Sequence, residues 1–194
     1  MKRALKNLIG KIITKLMFVY EEYKLKVIYN NPNIGIAGSL TIEEYFSASI
    51  PAGNFSIQFG SGVYFKKYCA ILLVPKAELT IGNNVFFNNY CSINCLDKIS
   101  IGENTQFGEG VKIYDHNHTY TYANEVLDVD RHKFKTAPIT IGKNCWIGSN
   151  VTILKGVTIG DNVVIGANNL VYKSVPANTV LKFKADYIIQ NHKE

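Results

Sequence analysis

The chain has 194 residues, a formal net charge of +6 and a sequence pI near 9.0. That length suits one domain with a core large enough to need neither disulfides nor metals, and no uninterrupted apolar run reaches the roughly 18 residues of a membrane span. The basic balance suits an anionic partner, yet the lysines are spread without the aromatic-interleaved basic motif of an RNA or DNA module, so nucleic acid is not the expected ligand.

In chain order, the first element is "MKRALKNLIGKIITKLMFVY". Leu5, Leu8, Ile9, Ile12, Leu16 and Val19 recur there at helical spacing, with Lys2, Arg3, Lys6, Lys11 and Lys15 between them. This predicts a basic amphipathic helix within an N-terminal segment 1–33. Lys11 and Lys15 interrupt the apolar block that a signal peptide needs and no small-residue cleavage site follows, so no leader is expected. Two roles stay open for the helix: docking on its own domain or a sister subunit, or contact with a membrane surface.

A repetitive domain is expected over 34–180, with 181–194 as a tail. Its first part is irregular: "SIQFGSGVYF" and "AILLVPKA", between Ser56 and Ala77, read as early, imperfect repeats. From Ile81 the rhythm is clear. Ile81, Phe87 and Ile93 are six apart, the frame slips by two residues between Cys95 and Ser100, and Ile101, Phe107 and Ile113 resume it. After a gap, Ile141, Ile147, Ile153, Ile159, Ile165 and Val171 continue it without a break.

A six-residue period would scatter aliphatics around a helix of 3.6 residues per turn, and an antiparallel sandwich would place turn signals every 8 to 12 residues. Short strands meeting at regular corners and stacked coil on coil gather the aliphatics into one column. The fourth residue of each block fits: Asn84, Asn104, Gly110, Asn144, Asn150, Gly156, Asn162 and Asn168 are of types that tolerate positive φ, with Tyr90, Leu96 and Ser174 as exceptions. The fifth residue, as in Val85, Cys91, Thr105, Val111, Cys145, Val151, Val157 and Val163, is small or β-branched and is expected to point inward. Cys69, Cys91, Cys95 and Cys145 show no CxxC spacing and read as reduced core residues, hence a cytoplasmic protein.

The rhythm stops at "YDHNHTY", Tyr114 to Tyr120, which holds two of the four histidines. His116 takes the corner position of its block, and the polar stretch of about 117–137 has nothing to bury in a column and must loop out. His116 therefore stands at the root of a long excursion, on an edge of the prism, where a side chain can face a cleft.

These features resemble the hexapeptide-repeat acyltransferases, whose fold is a left-handed parallel β-helix. Within that family the histidine pair followed by Pro138-Ile-Thr-Ile-Gly-Lys-Asn-Cys-Trp-Ile-Gly-Ser149 is most similar to galactoside and maltose O-acetyltransferases and to O-acetyltransferases of surface polysaccharides. The resemblance covers roughly Thr80 to Asn178. It implies a homotrimer with active sites between subunits, acetyl-CoA as acyl donor, a sugar hydroxyl as acceptor and no metal. It also implies His116 as general base, the Ser149 N–H for the developing oxyanion, and Trp146 lining the cleft. Asn94, Asp97 and His118 become candidates for binding or orienting the acceptor, and Asp115 for orienting the site. Ala167, Tyr172 and Lys173 match coenzyme A contacts, with Lys182 and Lys184 near the phosphates. One departure stands out: Phe183-Lys184-Ala185-Asp186 occupies the place of the Gly-x-Pro-Ala segment that many members set against the adenine.

Each candidate has a plainer rival, as a polar corner residue, an exposed side chain or a subunit contact. Other activities remain open for the chain as a whole. An amino-sugar N-acetyltransferase or an antibiotic-modifying acetyltransferase would use the same base. A γ-type carbonic anhydrase would hold zinc through His116, His118 and His132. A non-catalytic coil stack would need none of these residues.

Overall fold

A computed structural model describes residues 2–182 of the chain. Helix α1 spans Lys2–Tyr29 and is followed by a parallel β-solenoid of about six turns. The helix stops because Pro32 cannot continue it: Asn30 closes the last turn on Lys26 O at 2.9 Å, and the Asn31 side chain accepts from the Asn33 N–H at 3.0 Å. Ile28 is buried over the apolar end of the column, near Ile34, Phe46 and Ile57, and the Tyr29 hydroxyl donates to Leu40 O at 2.9 Å.

Three parallel sheets form the walls. The first face stacks Ile34–Ile36, Ser56–Phe59, Glu78–Ile81, Lys98–Ile101, Ile139–Ile141 and Thr158–Ile159. The second stacks Leu40–Ile42, Val63–Phe65, Phe86–Phe87, Gln106–Phe107, Trp146–Ile147, Val164–Ile165 and Val180–Leu181. The third stacks Ser47–Ser49, Ala70–Leu73, Ser92–Cys95, Lys112–Tyr114, Thr152–Leu154 and Leu170–Val171. Regular coils thus begin at Ile34, well before the clear rhythm in the sequence.

The register puts equivalent residues on top of each other. Phe87 pairs with Phe107 and Phe107 with Ile147; the rings of Phe65, Phe87 and Phe107 stack with centroids 4.5 and 4.6 Å apart, the spacing of parallel strands. All eight fifth-position residues named above are buried, and Thr105 pays for its place there by donating to Gly142 O at 2.9 Å and accepting from Cys145 N at 3.2 Å.

Every asparagine and glycine expected at a corner has positive φ, between 53° at Asn84 and 77° at Gly156. The asparagines also join coils: along one edge each Nδ2 donates to the next Oδ1, from Asn84 through Asn104, Asn144 and Asn162 to Asn178, at 2.9 to 3.3 Å. The exception Tyr90 is left-handed too, as are Tyr45, Tyr68 and Lys76 in the early coils. Tyr45, Tyr68 and Tyr90 stack ring on ring with centroids 4.7 and 4.9 Å apart, and that packing holds a backbone conformation disfavoured for these residues.

The excursion is not an irregular loop. It is a two-stranded antiparallel hairpin, His116–Ala123 against Val126–Thr136, turning at Asn124 and Glu125, both at positive φ. Two consecutive left-handed residues suit the right-handed twist of a hairpin.

Candidate active site

His116 lies where the third face turns toward the first, at the base of the hairpin. Its neighbour Asp115 is completely buried. The Asp115 carboxylate fills the two-residue slip of the preceding coil, where it accepts from the Leu96 N–H at 2.8 and 3.0 Å and from the Asp97 N–H at 2.8 Å. A carboxylate taken out of water needs such donors, and these also explain why the frame slips there: the short corner at Leu96 and Asp97 is capped by a side chain from the next coil.

The same carboxylate reaches the imidazole. Asp115 Oδ1 is 3.4 Å from His116 Nδ1, long for a hydrogen bond but aligned to hold the ring by that nitrogen. With Nδ1 on the carboxylate side, Nε2 is the nitrogen left to take up or give a proton. The ring is mostly buried, its side chain 15% exposed, with Phe134 edge-on at 5.3 Å and Tyr114 at 6.2 Å between centroids. Phe134 also packs on His118 at 4.6 Å. Tyr114 and Phe134 were not singled out in the sequence; the one available signal was an aromatic on each side of the histidines in an otherwise polar stretch.

Asn94 pairs with Tyr114 in the neighbouring strand, and Asp97 donates its N–H to Asp115, so both sit one coil below His116. The side chains of Asn94 and Asp97 are half-buried. His118 is exposed, and its Nδ1 lies 3.1 Å from Asp130 O across the hairpin. The Asp130 carboxylate is held below its usual pKa range by the His132 N–H and then by Lys133. His116, His118 and His132 do not converge: among the described residues no cluster of His, Cys, Asp or Glu has the makings of a metal site. Burial, and then Asp115 beside it, pushes the Cys95 thiol up, so that cysteine is a poor nucleophile.

Tyr172 continues the row that runs through Asn94, Tyr114 and Leu154, and Lys173 follows it with Nζ 5.6 Å from the Tyr172 ring centroid. Both are exposed on the His116 edge, two coils or about 10 Å further along the column. Trp146, Ser149 and Ala167 are elsewhere. Trp146 is on the second face, 61% exposed, between Gln106 and Val164. Ser149 and Ala167 stand at the corner between the second and third faces. There Gly148 N donates to Ile165 O at 2.8 Å and Asn150 N to Glu109 O at 2.7 Å, leaving the Ser149 N–H without an acceptor among the described residues. The candidate residues of one chain therefore fall into two groups, at opposite edges of the third face and on the order of 15 Å apart by strand rise. Lys182 is exposed at the end of the column, while Lys184 and the Phe183 to Asp186 run lie outside the described residues, as do the side chains of Lys2, Arg3 and Leu5.

The repeats that build these corners match a family model described as the hexapeptide repeat of succinyl-transferase, over residues 138–173. Over those residues the chain carries hexapeptide repeats of the kind that model describes. Among curated proteins this hexapeptide-repeat chain is 32% identical over 91 residues to WbbJ of Escherichia coli (strain K12), which carries the provisional name lipopolysaccharide biosynthesis O-acetyl transferase. That match spans 44% of this chain and 46% of WbbJ, so the chain matches under half of its relative's length. Among solved structures it is similar to AntD, an N-acyltransferase from Bacillus cereus in complex with dTDP and 3-hydroxybutyryl-CoA, with TM-score 0.60, 18% identity and coverage of 82% and 81% of the two chains. A variant of AntD in complex with dTDP-4-amino-4,6-dideoxyglucose and coenzyme A gives TM-score 0.58, 17% identity and 89% coverage of both. Likeness at that identity is a likeness of fold.

Proposed function

We propose that this chain transfers an acetyl group from acetyl-CoA to a sugar hydroxyl in the biosynthesis of a surface polysaccharide, with His116 as general base. The observation that carries the reading is the Asp115–His116 pair, a histidine held by a buried carboxylate at the point where the hairpin leaves the column. The partial similarity to WbbJ supports the O-acetyl and polysaccharide parts, and the free, buried cysteines support a cytoplasmic setting.

In the proposed reaction His116 Nε2 removes the acceptor hydroxyl proton as its oxygen attacks the thioester carbonyl. The Ser149 N–H donates to the oxyanion of the tetrahedral intermediate. When the carbon–sulfur bond breaks, the imidazolium returns its proton to the leaving thiolate, so the base is regenerated. Asn94, Asp97 and His118 bind the acceptor, while Trp146, Ala167, Tyr172 and Lys173 line the donor groove, with a lysine near its phosphates.

Because His116 and Ser149 occupy different edges, this mechanism needs two copies in contact, the His116 edge of one facing the Ser149 edge of another. Closed threefold symmetry repeats that contact at every edge pair, which is the argument for a homotrimer.

Calorimetric titration with acetyl-CoA, followed by release of free coenzyme A thiol in the presence of sugars and amino sugars, tests the reading. Saturable binding with one site per chain and turnover on a hydroxyl acceptor are expected, with His116→Ala lowering turnover about 10² to 10⁴-fold at unchanged binding. Turnover confined to amino sugars would make the enzyme an N-acetyltransferase; absence of acetyl-CoA binding would overturn the reading.

A further inference from the structure

Helix α1 is unlike the rest of the molecule in charge. Five of the 21 Lys and Arg residues lie in the first twenty positions, which hold no Asp or Glu, so residues 21–194 set 16 basic residues against all 15 acidic ones. Nearly the whole net charge of +6 thus belongs to one helix.

The helix also leaves a large apolar surface bare. At about 100° per residue, Leu8, Ile9, Ile12, Ile13, Leu16 and Val19 fall within an arc of about 140°, and each is between 47% and 63% exposed. Leu25 and Ile28, through which the last turns pack on the column, lie about 160° round the helix from the middle of that arc. The helix docks on its own domain through its last turns, and the stripe faces away from that contact.

We propose that α1 is a membrane-surface anchor whose apolar stripe enters an anionic lipid surface with the helix axis in the plane of the interface. Lys15 borders the stripe on one side and Lys6 on the other, with Lys11 next to Lys15. From those positions long side chains keep their ammonium groups at the level of lipid phosphates while the stripe reaches the acyl boundary. No described helix is long and apolar enough to cross a membrane, so the helix lies on the surface. Charge chooses between lipid and a second copy. Another copy would bring the same basic stretch, with no acid in its first twenty positions, against this one, whereas anionic headgroups attract each lysine.

The inference rests on α1 alone and not on the transfer reaction. The full chain is tested by co-sedimentation with vesicles of phosphatidylcholine and of phosphatidylcholine mixed with phosphatidylglycerol, at low and high salt, and by sedimentation velocity without lipid. Wild type is expected to pellet with the mixed vesicles. Binding should fall by at least about tenfold on neutral vesicles, in high salt, or with Lys6→Glu, Lys11→Glu and Lys15→Glu combined. The pair Ile12→Glu and Leu16→Glu should abolish pelleting and leave the sedimentation coefficient of the lipid-free protein unchanged. A wild type that stays in the supernatant with mixed vesicles at low salt would overturn the inference. So would a smaller assembly in the Ile12→Glu, Leu16→Glu variant, which would assign the stripe to a second copy. A protein that pellets as expected but never binds acetyl-CoA keeps the anchor and removes the transferase reading.

Discussion

Asp115 Oδ1 lies 3.4 Å from His116 Nδ1 while the two oxygens of that carboxylate accept the N–H groups of Leu96 and Asp97. One buried side chain thus closes a corner of the preceding coil and fixes the ring of the next residue. Asp115→Ala removes the acceptor and leaves two N–H groups in a buried corner, which should cost roughly 2–4 kcal/mol in urea unfolding. Asp115→Asn keeps one acceptor oxygen and should cost less, while kcat falls about tenfold or more because the imidazole loses its anchor. An Asn variant with wild-type kcat would reduce Asp115 to a corner cap.

The two histidines of the motif are predicted to separate kinetically. His118 Nδ1 reaches across the hairpin to Asp130 O at 3.1 Å, and its ring shares Phe134 with His116. Losing one hydrogen bond of this kind costs about 1 kcal/mol, or about fivefold. His118→Ala should therefore change the acceptor KM more than kcat, and His118→Asn should recover part of the loss. If His118→Ala were as inactive as His116→Ala in thiol release, His118 would be the base.

The column could be read from Ile81 onward because the same positions repeat the same chemistry: aliphatic in, asparagine or glycine at the corner. Before Ile81 the physics is unchanged but the residue types are not. Tyr45, Tyr68 and Lys76 adopt the left-handed corner that asparagine takes later, so the six-residue pattern fades although the coils continue. The hairpin was hidden for another reason. Its strands are exposed along nearly their whole length, so no burial pattern marks them, and the Asn124-Glu125 turn was the only local sign. Of the site, the sequence places His116 at a corner but says nothing of which edge carries Ser149. That depends on counting three faces per coil, and only the stacked register shows the two residues at opposite ends of one face.

Gly148 tests how closely the Ser149 corner is packed. A Cβ there would meet Ala167 N at 2.6 Å and Ile165 O at 2.8 Å, both backbone atoms of the next coil. Gly148 also donates its N–H to Ile165 O, so neither coil can withdraw without breaking a ladder bond. Gly148→Ala should lose about 1–3 kcal/mol of stability and, by tilting the neighbouring Ser149 N–H, lower kcat further than that loss explains at a temperature where the variant is folded. A variant as stable as wild type would mean that the coils separate easily at this corner.

The ring stack in the column offers a test of the fold that is independent of any activity. Phe87 is 1% exposed and lies between Phe65 and Phe107, at 4.5 and 4.6 Å centroid to centroid. In a solenoid each coil contacts only its neighbours, so a cavity at Phe87 weakens two coil–coil contacts and cannot be filled from farther away. Phe87→Ala should cost about 3–5 kcal/mol, and Phe87→Leu, which keeps most of the volume, under about 1.5 kcal/mol. Hydrogen exchange should locate the loss: amides of Phe65 to Phe107 should lose protection first, and those of Ile147 to Ile165 should hold theirs until global unfolding. Equal loss of protection along the whole column would show that the coils unfold as one cooperative unit, and the neighbour-by-neighbour account of its stability would have to be given up.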